Sequence, residues 1–129
     1  MIESLEQEVI KWAKEKGIFT NSNPLKQFSK TLEEVQELGD ALEEQLFLDK
    51  LHAKGMEYHS FEAQFNNQNE IEDAIGDIIV TLIIQAKMQN VSLGACLHSA
   101  YNVIKKRQGK MVDGVFVKQE DLLKDAYEL

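Results

Sequence analysis

Several residue types are scarce in this chain of 129 residues. The single cysteine, Cys96, excludes an internal disulfide and fits a reducing compartment. We expect it to be a small buried apolar side chain rather than a nucleophile. The longest apolar run, residues 78–84, is too short to cross a bilayer, and the first residues lack the basic stretch of a secretory signal. The sequence therefore predicts a cytoplasmic protein that does not enter a membrane.

Positive charge is also in short supply. Lysine and arginine number 14 against 22 acids, which gives a net charge of −8 at pH 7. A general nucleic-acid binder needs a basic surface for the phosphate backbone, so this charge balance argues against that class. A small phosphorylated ligand is still compatible, because a bound metal can mask nearby acids. The length suits a single domain over residues 1–129.

Helical periodicity dominates the first half of the sequence. It predicts a helix over residues 2–16 that is stopped by Gly17. A loop at residues 20–23 leads to Pro24, the only proline, which suits the first turn of a second helix. That helix should run to about residue 48. It carries one apolar stripe, formed by Leu25, Phe28, Leu32, Val35, Leu42 and Leu46.

The second half continues the helical pattern after residues 49–68, which carry no clear periodicity. Asn69 is the expected cap of a third helix, whose C-terminal half is apolar nearly all round and should be enclosed by neighbours. A fourth helix should start at Ser92 and end near Gly109. A hairpin around an Asp-Gly turn and a short helix over residues 119–127 complete an all-α bundle of four to five helices with a short C-terminal hairpin or irregular tail.

Two pairs of acids are the most informative feature. Glu34 and Glu37 lie three residues apart, and Asp73 and Asp77 lie four apart, so each pair shares one side of a helix. Two unpaired carboxylates ~4 Å apart repel by about 4 kcal/mol at an effective dielectric constant of ~20. A divalent cation converts that repulsion into binding. A solvated helix surface is the ordinary interpretation of the first pair alone.

The second pair has a more demanding environment. The side of the helix that carries Asp73 and Asp77 becomes apolar within one further turn, at Val80 and Ile84. Ionised carboxylates beside apolar side chains are costly without a partner, and residues 55–86 contain no lysine or arginine. Mg²⁺ prefers oxygen ligands and commonly bridges phosphates. We therefore predict a metal site that draws acids from two helices.

A basic segment at residues 101–110 adds a candidate phosphate site. Lys105 and Arg107 are suited to phosphate oxygens, with Asn102 one turn earlier. The alternative is that these cations stabilise the C-terminus of their helix. Trp12 could stack on a nucleobase or belong to the core.

Four segments resemble the MazG-like branch of the all-α nucleoside triphosphate pyrophosphohydrolases. Three of them, residues 30–38, 72–80 and 101–107, are similar to the motifs of that family and occur in the expected order. Residues 109–118 are similar to the tail of small stand-alone members, which are often phage-encoded. Together these segments span nearly the whole chain.

The resemblance implies hydrolysis of a (d)NTP to the monophosphate and pyrophosphate with Mg²⁺, for which Mn²⁺ is a substitute. It implies three metal ligands: Glu34, Glu37 and Asp77. Many family members carry Glu-x-x-Asp in the second motif, but Ala74 stands three residues before Asp77 here. The remaining ligand is therefore either Asp73 or Glu70.

The reaction that the resemblance implies is attack of a metal-activated water on the α-phosphorus, with Glu33 or Glu37 as the base. The expected substrate-binding residues are Lys30, Asn102, Lys105, Arg107 and Trp12. Family members form homodimers or homotetramers, and we expect the same here. The alternative is a catalytically silent helical module that binds a nucleotide or a protein partner.

Overall fold

The structure is a computed structural model that describes residues 1–55 and 57–127, without the side chains of residues 57–60 and 125–127. Over these residues it has six helices and one two-stranded sheet, which confirms the predicted all-α class with a C-terminal hairpin. The helices are α1 (Ile2–Glu15), α2 (Ile18–Asn21), α3 (Pro24–Ala53), α4 (Glu57–Met88), α5 (Leu93–Ile104) and α6 (Gln119–Tyr127). The strands are β1 (Gly109–Val112) and β2 (Val115–Lys118).

The chain folds into two compact units, Met1–Leu93 and Gly94–Leu129. The first unit is built on the long helices α3 and α4, with α1 packed against α4. The second contains the hairpin, and α6 contacts both of its strands. None of the described helices is long and apolar enough to cross a membrane by itself. Only α4 and α5 taken together have the length and composition of a membrane span.

Helices α3 and α4 run antiparallel, and among the described side chains four hydrogen bonds join them. The start of α3 contacts the end of α4, and the end of α3 contacts the beginning of α4. The four bonds run from Gln85 Nε2 to Pro24 O (2.9 Å), from Thr31 Oγ1 to Thr81 Oγ1 (3.0 Å), from Asn67 Nδ2 to Ala41 O (2.8 Å) and from Gln64 Nε2 to Asp49 Oδ1 (3.2 Å). Together they fix which turns of the two helices face each other.

The buried face of α3 is not its apolar stripe. The buried residues recur every seventh position, at Gln27, Glu34, Ala41 and Leu48. The stripe stays 46–78% exposed, at Leu25, Phe28, Leu32, Val35, Leu42 and Leu46. The helix thus packs a mixed, partly polar seam against α4 and leaves its most apolar side uncovered.

Helix α4 is also only partly enclosed. Ile83 and Ile84 are buried, but Ile75, Ile79 and Leu82 are 40–46% exposed. The prediction that neighbours surround its apolar half is therefore wrong for these three positions. Helix α4 has one long partner, α3, and a shorter one, α1, so part of its circumference has no covering element among the described residues.

Several elements differ from the predicted ones. Helix α4 begins twelve residues before Asn69, so Asn69 is an interior helical residue and not a cap. Helix α3 continues to Ala53, beyond the predicted end near residue 48. The expected loop before Pro24 contains the short helix α2, and α5 ends at Ile104 rather than near Gly109.

Local signals explain the helix ends that the sequence predicted correctly. Gly17 has a φ of 76° and ends α1, as expected for a residue without a Cβ. Asn23 accepts a hydrogen bond from Lys26 N at 2.9 Å, and Pro24 occupies the first turn. At the other end of the first unit, buried Glu6 accepts a 2.7 Å hydrogen bond from Leu93 N through Oε1.

The second unit contains the predicted hairpin. β1 and β2 are antiparallel, with Val112 paired to Val115 across a two-residue turn. Asp113 and Gly114 both have positive φ, 50° and 82°, as a type I′ turn requires. Cys96, on α5, is exposed, so the prediction of a buried cysteine is wrong. An amphipathic helix with few neighbours leaves such a position open to solvent.

Candidate functional site

A cleft of about 780 Å³ lies between α3 and α4. We call it the acid cleft, because carboxylates from both helices line it. They are Glu37, Asp40 and Glu44 from α3, with Glu70, Asp73 and Asp77 from α4. The predicted segments 30–38 and 72–80, which are far apart in sequence, thus both contribute acids to this cleft of the first unit.

The cross-helix hydrogen bonds explain this arrangement. Between the Thr31–Thr81 bond and the Asn67–Ala41 bond, α3 carries Glu34 and Glu37, while α4 carries Asp73 and Asp77. The antiparallel register therefore sets the two acidic turns opposite each other. Helical periodicity then aligns Glu70, Asp73 and Asp77 along one side of α4.

Glu34 and Glu37 form an interacting acidic pair at the site. Glu34 is 7% exposed, and its Oε2 atom is buried without a hydrogen-bond partner. Glu37 is exposed at the edge of the acid cleft. A hydrogen bond between the two carboxyl groups is the largest cause that raises the pKa of Glu37, and the charge of Glu34 raises it further. A proton or a cation bound at this pair relieves the repulsion between the two carboxylates.

Lys30 provides the ion pairs next to the acid cleft. Its Nζ lies 3.2 Å from Glu34 Oε1 and 3.4 Å from Glu33 Oε1, one helical turn along α3. The hydrogen bond to Glu34 is the main cause that raises the pKa of Lys30. Glu33 itself is exposed and does not line the acid cleft.

The predicted metal ligands are thus partly assembled. Glu37, Glu70, Asp73 and Asp77 line the acid cleft, and Glu34 is buried beside it. Within residues 1–55 and 57–127, however, no three His, Cys, Asp or Glu side chains are close enough to hold a metal ion.

The donor set itself fits Mg²⁺. Carboxylate oxygens from two facing helices are the ligands that this ion prefers, and it tolerates several water ligands in place of protein atoms. The unpartnered Oε2 of Glu34 gives a specific reason for a cation, because a buried charged oxygen without a donor is costly.

Sequence reasoning missed one buried residue of this site. Asn67 lines the acid cleft and is 6% exposed, with its Nδ2 bound to Ala41 O and its Oδ1 buried without a partner. It lies in the stretch that showed no periodicity. A buried asparagine leaves no periodic signal, so only the packing of α4 on α3 reveals it. Asp40 and Glu44, which are not among the predicted site residues, also line the acid cleft.

Four of the predicted substrate-binding residues, on α1 and at the end of α5, do not line the acid cleft. Trp12, on α1, is 46% exposed and does not line the cleft. Asn102 is half-buried on α5, while Lys105 and Arg107 follow the end of that helix. The Lys105 ammonium lies 5.7 Å from the centre of the Tyr101 ring. This position beyond α5 is consistent with both proposed roles of the basic segment, phosphate binding and helix-terminus stabilisation.

A second, smaller cavity lies within the second unit. Its volume is about 360 Å³, and three cations line it: Lys106, Arg107 and Lys118. Arg107 is the one predicted site residue among them. The contribution of Lys118 depends on the hairpin, whose β2 strand returns next to the basic segment and pairs Lys118 with Gly109.

Comparisons with protein-family models, with curated proteins and with solved structures find no match. The assignment of a function therefore depends on the residues of the acid cleft and of the basic segment.

Proposed function

We propose that this protein is a Mg²⁺-dependent nucleoside triphosphate pyrophosphohydrolase, which converts a (d)NTP into the monophosphate and pyrophosphate. The observation that supports this most is the acid cleft. Acids from α3 and α4 line it, and no acid on α4 has an ion-pair partner among the described residues. Such a concentration of carboxylates attracts a cation, and a cation among carboxylates attracts phosphates.

The metal would be held by side chains from both helices. Glu34 and Glu37 supply oxygens from α3, and Asp77 supplies one from α4, with Asp73 or Glu70 as the further ligand. When bound, Mg²⁺ withdraws charge from the phosphate oxygens and lowers the pKa of a coordinated water. The protein's own task is to hold these oxygens at one place, which the α3–α4 register favours.

Glu37 is better placed than Glu33 to act as the base. Glu37 lines the acid cleft, whereas Glu33 lies outside it and pairs with Lys30. The hydrogen bond with Glu34 and the Glu34 charge raise the pKa of Glu37, which is the direction that favours proton uptake. In the proposed reaction a water oxygen bonds to the α-phosphorus, its proton passes to Glu37, and the bond to the bridging oxygen breaks to release pyrophosphate.

Cationic and aromatic side chains complete the proposal. Lys30 binds the triphosphate beside the metal, and Trp12 stacks on the base. We propose Asn102, Lys105 and Arg107 as phosphate-binding residues of the second unit, the role that the family resemblance implies.

We further propose that the protein is a homo-oligomer, either a dimer or a tetramer. The exposed stripe of α3 supports this, because Phe28, Val35 and Leu42 recur every seventh residue on one side of a long helix. That spacing is typical of helices that pack against another long helix. A second copy of the chain offers a matching stripe, and covering it would remove a large apolar surface from water.

The proposed activity is tested by incubating the purified protein with each dNTP and Mg²⁺ and assaying pyrophosphate and orthophosphate separately. We expect pyrophosphate. Glu37→Gln and Asp77→Asn should each abolish most of the release, whereas Glu43→Gln, an exposed acid on α3 outside the acid cleft, should not.

Three other outcomes would reject this function. Full activity in Glu37→Gln or Asp77→Asn would show that the acid cleft is not the site. Orthophosphate without pyrophosphate would require a different phosphatase chemistry. Nucleotide binding without either product would favour the silent binding module, which the present separation of the carboxylates leaves as the second candidate.

A further inference from the structure

Lys30 pairs with an acid that the proposed metal also needs. Its ammonium lies 3.2 Å from Oε1 of Glu34, and over the described residues no other lysine or arginine pairs with a side chain of the site. Lys30 and Glu34 are four residues apart on α3, so the pair forms within one helix and does not depend on the packing of α4.

The two partners differ in their freedom to move. The Glu34 side chain is only 9% exposed, and its other oxygen, Oε2, is buried without a partner. The Lys30 side chain is 50% exposed and reaches Glu34 from the solvent side. Lysine has a long flexible stem and no preference for a fixed geometry, so it can leave this carboxylate without a change in the backbone.

A metal ion and the Lys30 ammonium compete for the same charge. Either cation compensates Glu34, but both together repel each other at close range. A triphosphate, in contrast, attracts a metal and an ammonium at once. When a nucleotide and the metal bind together, the metal therefore binds Glu34 and the triphosphate becomes the new partner of Lys30.

We propose that Lys30 is an exchangeable counter-ion: it neutralises Glu34 in the metal-free protein and moves to the triphosphate when metal and nucleotide bind together. This inference rests on the proposed function, since it takes Glu34 as a metal ligand. It predicts that the free protein binds metal weakly and that the nucleotide strengthens metal binding. Lys30 thus links the two binding steps.

The test is the affinity for Mn²⁺ in the absence of nucleotide, measured by calorimetry or electron paramagnetic resonance, in wild type and in Lys30→Met. We expect Lys30→Met to bind Mn²⁺ about two- to fivefold more tightly, the range of a partly exposed ion pair. The KM for the dNTP should rise about tenfold, because a charged contact to the phosphates is lost. Lys30→Arg, which keeps the charge, should bind Mn²⁺ nearly as wild type does.

Lys26→Met is the matched control. Lys26 lies one turn earlier on α3, is exposed and has no ion pair within the described part of the chain. The Lys26→Met variant removes the same charge from the protein as Lys30→Met does, so it corrects for the general effect of net charge. Lys30→Gln serves as a second variant, and circular dichroism checks that each variant is folded.

The outcomes separate this inference from the function it rests on. Unchanged or weaker Mn²⁺ binding in Lys30→Met and Lys30→Gln, in a protein that does release pyrophosphate, overturns the counter-ion role and leaves the function intact. Equal tightening in Lys26→Met also overturns it, because the effect is then one of net charge. A wild-type protein that neither binds Mn²⁺ nor releases pyrophosphate rejects both proposals.

Discussion

The carboxyl groups of Glu34 and Glu37 are close enough to share a hydrogen bond, and this contact raises the pKa of Glu37. One member of the pair is buried and the other is exposed at the edge of the acid cleft. When both groups are ionised, there is electrostatic repulsion between them. Its removal, by a proton or by a mutation, should therefore be measurable as stability.

Glu37→Gln should stabilise the protein at neutral pH. Because the folded-state pKa of Glu37 lies above its ordinary 4.5, the stabilising proton is bound below pH 4.5 and is lost as the pH rises through the raised value. Wild type should therefore lose stability across that window, while the glutamine variant, which cannot ionise, should not. Urea unfolding below pH 4.5 and at pH 7 measures the difference.

Glu43→Gln is the control for this experiment, since Glu43 is exposed on the same helix and does not line the acid cleft. An equal gain in Glu43→Gln would attribute the effect to the net charge of −8 rather than to the Glu34–Glu37 contact.

Asp73, rather than Glu70, should be the further metal ligand on α4. The register places Asp73 opposite the turn of Glu37, whereas Glu70 lies nearer to Asn67, at the other end of the cleft. Asp73→Asn should weaken Mn²⁺ binding by more than about tenfold, and Glu70→Gln by clearly less. Titration of both variants with Mn²⁺ decides between them, and the reverse order would assign Glu70.

The bond between Glu6 and Leu93 should contribute to the stability of the first unit. Glu6 is 4% exposed and accepts the Leu93 amide at 2.7 Å, at the first residue of α5. Glu6→Ala leaves that N–H without its acceptor and should cost about 1–2 kcal/mol. Chemical denaturation measures this cost. Glu8→Ala, at an exposed position of the same helix, should change the free energy of unfolding much less.

A charge in the exposed stripe of α3 should dissociate the proposed oligomer. Val35 is 46% exposed in the middle of the stripe, and Val35→Glu would bury an unpaired carboxylate in an interface that uses this face. Sedimentation analysis should show wild type as a dimer or tetramer and Val35→Glu as a monomer. The neighbouring Gln36→Glu should stay assembled. A monomeric wild type would reject the oligomer.

Much of the fold could be predicted where a local signal exists. Gly17, Pro24 and the Asp113-Gly114 turn act through their own backbone geometry, and each lies where the sequence indicated. The acids at Glu37 and Asp77 could be paired because helical spacing and the lack of nearby bases both pointed to one site. Each of these signals, the backbone geometry of a turn and the spacing of acids on a helix, depends on a few residues that are close in sequence.

The prediction was poorer where several elements act together. The seam of α3 is selected by contact with α4, so Gln27 and Glu34 are buried while Phe28 and Leu32 are exposed. The sequence of α3 alone does not indicate that its more polar face is the one that is buried. For the same reason Asn67 was missed, since its burial depends on a helix that contacts it from a distant part of the sequence.

The polar contacts between α3 and α4 lower the stability of the helix pair but fix the register that the proposed site requires. Replacing Thr31, Thr81 and Asn67 with apolar residues of similar size would remove buried polar atoms and could strengthen the helix pair. An apolar seam of heptad spacing, however, accepts several alignments that differ by a helical turn, about 5.4 Å. In most of those alignments Glu34 and Glu37 would face the wrong turn of α4. We therefore expect that a variant stabilised in this way can lose the proposed metal site, because α3 and α4 stay folded but slip past each other while every predicted ligand is still present.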